Sequence, residues 1–307
     1  MSRKSKHLKE NSRNVKREKS QFVNKFNDRN SKGKILESRD VGNRRNLKNG
    51  RRNKESEKFT IVQKVFLIIF ICIFCYSAFT LISWYIGTKK AESKYEDLAQ
   101  KVITEDINQE PDESKNKPQG INFDELKQIN EDIIGWIKID GTTINYPIVK
   151  TTDNEFYLKK DIYKEYDSCG SIFMDYKNSE DFTDKNNVLY GHHIKSGIMF
   201  ADLVNIYKGK LGTDINIHIY TPSKERVYKV FSSYESEPED YAIDTSIKES
   251  QYNEFIENLK NRSNLDYGIS PKESNQILTL STCDSTGKKR ILVHAKLDEV
   301  YSLGTYL

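Results

Sequence analysis

Cys283 closes the run Ile277-Leu278-Thr279-Leu280-Ser281-Thr282-Cys283, and the polar stretch Asp284-Ser285-Thr286-Gly287 follows it. Such a run predicts a β-strand with the thiol at its C-terminal edge, where a side chain opens into a cleft. A cysteine there is a nucleophile if neighbouring charge lowers its pKa, and a small buried apolar residue otherwise. Thiol chemistry also needs a proton partner. Beyond the N-terminal region the chain offers His192, His193, His218 and His294. His192 and His193 follow a β-prone run, and strand alternation sends them to opposite faces, so at most one of the two meets Cys283. His218 falls on the polar side of an alternating strand. His294 lies in the last β-prone run, four residues beyond Arg290, and is the rival of the 192–193 pair. The third requirement is a cation to favour the thiolate and hold a developing oxyanion. This part of the chain uses lysine heavily and has three arginines, Arg226, Arg262 and Arg290. Arg290 alone follows Cys283 across a short loop, and its fixed fork suits a carbonyl or oxyanion better than a lysine does.

Other chemistries find little support. The adjacent His192-His193 pair lacks the i, i+4 spacing of a helical zinc site, and the one CxxC, Cys72 to Cys75, lies in an apolar run. No phosphate loop or dinucleotide fingerprint is present, so no cofactor and no metal are expected. Cys169 and Cys283, the remaining cysteines, allow one disulfide and exclude a disulfide-built scaffold.

The elements that must position these residues follow from charge and periodicity. Of 307 residues, 31% are charged and 11% aromatic, and the charge is divided unevenly. Residues 1–58 carry 20 Lys+Arg against 7 Asp+Glu, a net of +13, whereas the remainder carries −9. The uncharged run from Val65 to Gly87 separates them, long enough for a membrane span of about 20 residues. Basic residues before it predict a cytoplasmic N-terminus and an exported C-terminal part. The resulting division is a basic, disordered cytoplasmic tail (1–58), a transmembrane helix (59–88), a stalk and linker (89–120) and a folded domain (121–307). The tail's charge suits anionic headgroups, and no nucleic-acid partner is expected. In the domain, a short helix over 123–131 precedes eight β-prone runs, at 135–140, 143–149, 171–175, 187–192, 214–221, 226–234, 276–282 and 290–297. Eight short strands with few helices suggest a mostly β closed barrel or sandwich. Tyr252, Phe255, Ile256 and Leu259, at i, i+3, i+4 and i+7, mark an amphipathic helix.

Thr279-Leu280-Ser281-Thr282-Cys283 followed by Arg290 resembles the TLxTC…R signature of sortases. Tyr190-Gly191-His192 resembles the segment carrying the sortase histidine. The stretches 133–149 and 170–178, with the helix at 250–262, are similar to class B sortases. The resemblance covers about residues 121–307 and implies an eight-stranded β-barrel, anchored by its N-terminus at the outer face of Gram-positive cells. It implies Cys283 as nucleophile, His192 as general acid/base and Arg290 as oxyanion and substrate-positioning group. Ser281, Thr282 and Tyr241 resemble positions near the groove for the sorting signal. The departures are a short Cys–Arg loop of six residues and a tail longer than an anchor needs.

The implied reaction is acyl transfer. The thiolate attacks a threonine carbonyl in the C-terminal sorting motif of an exported protein, and an amine of a lipid-linked peptidoglycan precursor resolves the thioacyl enzyme. A pilin-polymerising sortase is the alternative within this chemistry, although neither a lid segment nor a second C-terminal span is seen. An L,D-transpeptidase would place cysteine and arginine nearly adjacent, and a papain-like peptidase would place cysteine before histidine. A membrane-tethered, non-catalytic binding module is the rival outside enzymology.

Overall fold

The computed structural model describes residues 60–104, 120–283 and 288–303. The expected basic tail, the linker over 108–119 and the loop 284–287 lie outside these residues.

Helix α1 (Ile61–Val102) is one continuous element of 42 residues. At 1.5 Å per residue it is roughly 63 Å long. Its first part is apolar and uncovered: Phe70 and Phe74 are 68% and 74% exposed, and by length and composition this part could cross a membrane. Its second part is amphipathic. Ala91, Tyr95, Leu98 and Val102 recur on one face and are buried against the β-structure. The Tyr95 ring meets Tyr146 edge-on at 5.3 Å, and its hydroxyl donates to the Gly170 carbonyl at 3.4 Å. Burial pushes the Tyr95 phenol well above its ordinary pKa. Lys94 pairs with the carboxylate of Asp161, which is 1% exposed.

Strand β1 (Ile103–Thr104) follows directly and pairs with β2 (Gly120–Ile121) in a small two-stranded sheet. Asn122 caps helix α2 (Phe123–Ile129), its side-chain oxygen accepting from the Glu125 N–H at 3.1 Å. The eight β-prone runs then become β3 (Ile133–Ile139), β4 (Asn145–Val149), β5 (Ile172–Met174), β6 (Asn186–Tyr190), β7 (Asn216–Tyr220), β8 (Lys224–Ser236), β9 (Ile277–Cys283) and β10 (Arg290–Ser302). Short helices α3 (Leu203–Tyr207) and α4 (Glu249–Asn261) interrupt them. The eight strands close in the order β10-β8-β7-β3-β4-β5-β6-β9, with β9 hydrogen-bonded back to β10. Closure decides between the two architectures read from the sequence in favour of the barrel.

Two packed layers result from strand alternation. Leu278, Leu280, Ile291 and Val293 point into the barrel core, while Ile277 and Leu292 point outward. Tyr252, Phe255, Ile256 and Leu259 of α4 cover this outward face. Each such apolar side chain contributes roughly 1.5–3 kcal/mol on burial.

At the β3–β7–β8 side, His218 bridges two carboxylates. Its Nδ1 lies 2.8 Å from Glu225 and its Nε2 lies 3.2 Å from Asp140. The hydrogen bond to Glu225, opposed by burial and helped by Asp140, raises the imidazole pKa. Because the folded-state pKa exceeds the unfolded one, this stabilisation is complete below about pH 6.5 and is lost as pH rises through the folded value. Replacing His218 by Gln is expected to cost on the order of 1 kcal/mol near pH 5.5, chiefly through Glu225, and much less at pH 9. Urea denaturation of both proteins at the two pH values checks this, and an equal loss at both would remove the role given to the charge.

Candidate active site

The ends of β6, β9 and β10 converge. β9 lies between a parallel neighbour, β6, and an antiparallel one, β10. In the first pair Tyr190 is opposite Ser281, and the Gly191 N–H continues the ladder by donating to the Ser281 carbonyl at 3.2 Å. In the second, Cys283 is opposite Arg290. Register therefore carries positions 192, 283 and 290 to the same end of three adjacent chains. Arg290 has the parity of outward-facing Leu292. Electrostatics agree for β6 and β10. Burial and the nearby Asp175 carboxylate, 2.9 Å from the hydroxyl, raise the Tyr190 phenol pKa, and the charge of Arg290 pulls against them.

His192 is half-buried and held by main chain. Its Nε2 lies 2.8 Å from the Leu158 carbonyl oxygen, which can only accept, so Nε2 carries the hydrogen and Nδ1 is the other proton-exchanging nitrogen. Leu158 ends the 3₁₀ turn Phe156–Leu158, in a loop that returns to β5 through Gly170. Asp161 stiffens that loop by accepting from the N–H groups of Tyr163 and Glu165 and by its pair with Lys94 of α1. Gly170 has φ +60°, and a Cβ on it would lie 2.7 Å from the Tyr157 carbonyl, 2.8 Å from that of Leu158 and 3.1 Å from the His192 ring. The loop's main-chain role was not read from the sequence, where the only signal was the glycine itself.

The other histidines are elsewhere. His193 bridges to Met199, and His218 belongs to the Glu225–Asp140 cluster. His294 shares the parity of Arg290, as its spacing suggested, but is fully buried beneath Tyr234 and Phe231, opposite Thr279. Burial depresses its pKa to about 3, so it stays neutral. It is therefore a core residue. Cys169 is a free, buried thiol, which excludes the disulfide allowed by the cysteine count. Burial, reinforced by Asp167, pushes its pKa to about 12, so it is not a nucleophile at neutral pH.

Of the residues expected near a peptide groove, Tyr241 is 46% exposed on the 3₁₀ turn Tyr241–Ile243, and Ser281 is buried on the outward face. Thr282 falls on the alternate face, opposite Ile291 of the barrel core, and is 1% exposed. No cluster of three metal-ligating side chains occurs among the described residues.

A model of the sortase domain matches residues 137–298. The chain belongs to the sortase family. It is 33% identical to sortase B of Staphylococcus aureus over 250 residues, which are 80% of this chain and 98% of that one. With sortase B of Listeria monocytogenes it shares 32% identity, over 71% of this chain and 92% of the other. A solved complex of Staphylococcus aureus sortase B with substrate superposes with a TM-score of 0.59, at 31% identity, covering 70% of this chain and 99% of that one. The chain is thus a class B sortase, a cysteine transpeptidase.

Gly170 offers a test of how this sortase holds His192. Gly170→Ala must move two carbonyls, presses on the imidazole as well and sits at an unfavourable φ, so a loss of about 1–3 kcal/mol in stability is expected. Peptide cleavage is expected to fall as well, because the imidazole and the Leu158 carbonyl that holds it are both displaced. Thermal melting and peptide cleavage on the same preparation check both, and a stable variant with wild-type turnover would show that the loop does not position the ring.

Proposed function

We propose that this sortase cleaves a threonine-containing C-terminal sorting motif of exported proteins and joins them to an amine of a peptidoglycan precursor. The observation that carries this reading is the β6–β9–β10 register, which aligns positions 192, 283 and 290 at one strand end. The Cys283 thiolate attacks the threonine carbonyl, and the Arg290 guanidinium stabilises the tetrahedral oxyanion. His192, held at Nε2 by Leu158, uses Nδ1 to protonate the departing amine. The carbon–nitrogen bond breaks and a thioester remains. The incoming amine then attacks that thioester, gives up its proton to His192 and releases Cys283. Neither step requires a cofactor or a redox partner.

The apolar part of α1 supports a location for this chemistry. It serves as a single membrane span with the basic tail in the cytoplasm and the barrel outside, where secreted clients and lipid-linked acceptors meet. The packed face at 88–102 makes the second part of α1 a wall of the catalytic domain.

The test uses the full chain in detergent with a panel of threonine-containing sorting peptides. Wild type is expected to release the C-terminal fragment and to form a mass-detected thioacyl adduct, both absent from Cys283→Ala. Arg290→Lys keeps the charge but not the fork, and its kcat is expected to fall by about 100-fold. Cleavage that survives in Cys283→Ala would overturn the assignment, and an unreactive thiol without turnover would leave a binding module.

A further inference from the structure

Arg262 has no part in the chemistry above, yet its guanidinium is tied to three groups beside the outward face of the barrel. β8 ends at Ser236, opposite Arg290. The chain then turns through Asp240 into the 3₁₀ turn Tyr241–Ile243, whose Ala242 packs with Ile277 and Leu292 and with Phe255 of α4. This turn is pinned to the barrel on its far side. Asn186 of β6 donates to the carbonyls of Ala242 at 2.9 Å and Asp244 at 3.0 Å, and its own oxygen accepts from Thr279 of β9 at 2.7 Å.

The near side is held through Arg262, the residue that ends α4. Asp240, 8% exposed at its side chain, accepts from both forks of the guanidinium, with Nη1 to Oδ1 at 2.9 Å. The same Oδ1 accepts from the Ala242 N–H at 2.9 Å and so caps the turn. The guanidinium carbon also lies 4.1 Å from the Tyr234 ring centroid and 5.6 Å from that of Tyr241. Tyr241 leans edge-on against Phe255 at 6.0 Å but keeps 46% of its surface exposed.

Position along the strands relates this clamp to the reaction. Tyr234 is opposite Leu292, which is opposite Ser281. That level is two residues, about 7 Å along the strands, from the Arg290–Cys283 pair. A bidentate, partly desolvated arginine stacked on two rings is worth more than an exposed ion pair, and a lysine cannot reproduce it.

We propose that Arg262 is a positioning residue for peptide binding: through Asp240 and by stacking, it fixes the exposed Tyr241 ring as one wall of the groove leading to Cys283. The occupant is the extended sorting peptide, so this inference rests on the function proposed above. Arg262 touches neither the peptide carbonyl nor the thiol, and its effect belongs to binding rather than turnover.

The experiment uses the full chain in detergent and a fluorescein-labelled, threonine-containing sorting peptide. Arg262→Gln is expected to raise KM about tenfold with kcat within about twofold, and Arg262→Lys to recover only part of the loss. In a Cys283→Ala background, peptide affinity by fluorescence anisotropy should weaken by the same factor. Tyr241→Ala should give a similar loss, and the double variant Arg262→Gln/Tyr241→Ala should be no weaker than the weaker single one. Independent, multiplying losses would overturn the proposal, as would unchanged affinity or a fall in kcat alone. Asp240→Asn, which keeps the stacking on Tyr234, replaces Arg262→Gln in the same cycle if the latter does not fold. Cleavage by Cys283→Ala itself would instead bring down the transpeptidase assignment, leaving the affinity measurements to decide the role of Arg262.

Discussion

Within the barrel β6 and β9 form a parallel pair, and its register of Asn186 opposite Ile277 through Tyr190 opposite Ser281 governs the strand end where positions 192, 283 and 290 meet. Side chains alternate every residue, so a slip of one position would turn the outward residues of β9 into the core. It would also expose Leu278 and Leu280 to α4. The apolar contents of both faces therefore enforce the pairing. Asn186 adds a polar lock, because its amide is satisfied only when Thr279 and the turn after Asp240 are both in place. A buried amide left without partners costs about 1–3 kcal/mol, a sizeable fraction of a domain's stability.

The same double-faced sheet explains why chemistry-bearing residues of one type have different fates. His294 and Arg290 share a strand and a parity, but the Tyr234 and Phe231 rings cover the first, while the second begins the strand. His192 is beyond the end of β6, outside the α4 layer, and is oriented by a loop rather than by packing. Cys169 sits at the base of that loop, beside an aspartate and out of water, an environment that opposes the thiolate. Cover and neighbouring charge, rather than residue type, separate these fates.

Much of this was legible in the sequence where local pattern determines structure. Alternating Ile215, Ile217 and Ile219 fixed β7 on period two, and Tyr252, Phe255, Ile256 and Leu259 fixed α4 on period 3.6. Cys283 and Arg290 were placed at adjacent strand ends because only six residues separate them. Non-local facts were not legible. Spacing alone left His294 competing with His192, since burial beneath the Phe231 and Tyr234 rings of a strand some sixty residues earlier has no local signature. The half of α1 that packs on the barrel read as a charged stalk, because Ala91, Tyr95, Leu98 and Val102 are diluted by lysines and glutamates facing solvent. The contacts of Leu158 and Gly170 with His192 are main-chain properties, and sequence reports those only where glycine is required.

The orientation of His192 by a peptide carbonyl has an evolutionary consequence. A carbonyl is supplied by any amino acid, so the side chain at position 158, which is 36% exposed, can vary without removing the hydrogen bond. The loop can thus diversify its outward surface while the contact between the Leu158 carbonyl and His192 is inherited unchanged. Mutational tolerance is then concentrated at 158 and its exposed neighbours, and intolerance at the glycine twelve residues on, whose missing Cβ leaves room for the ring.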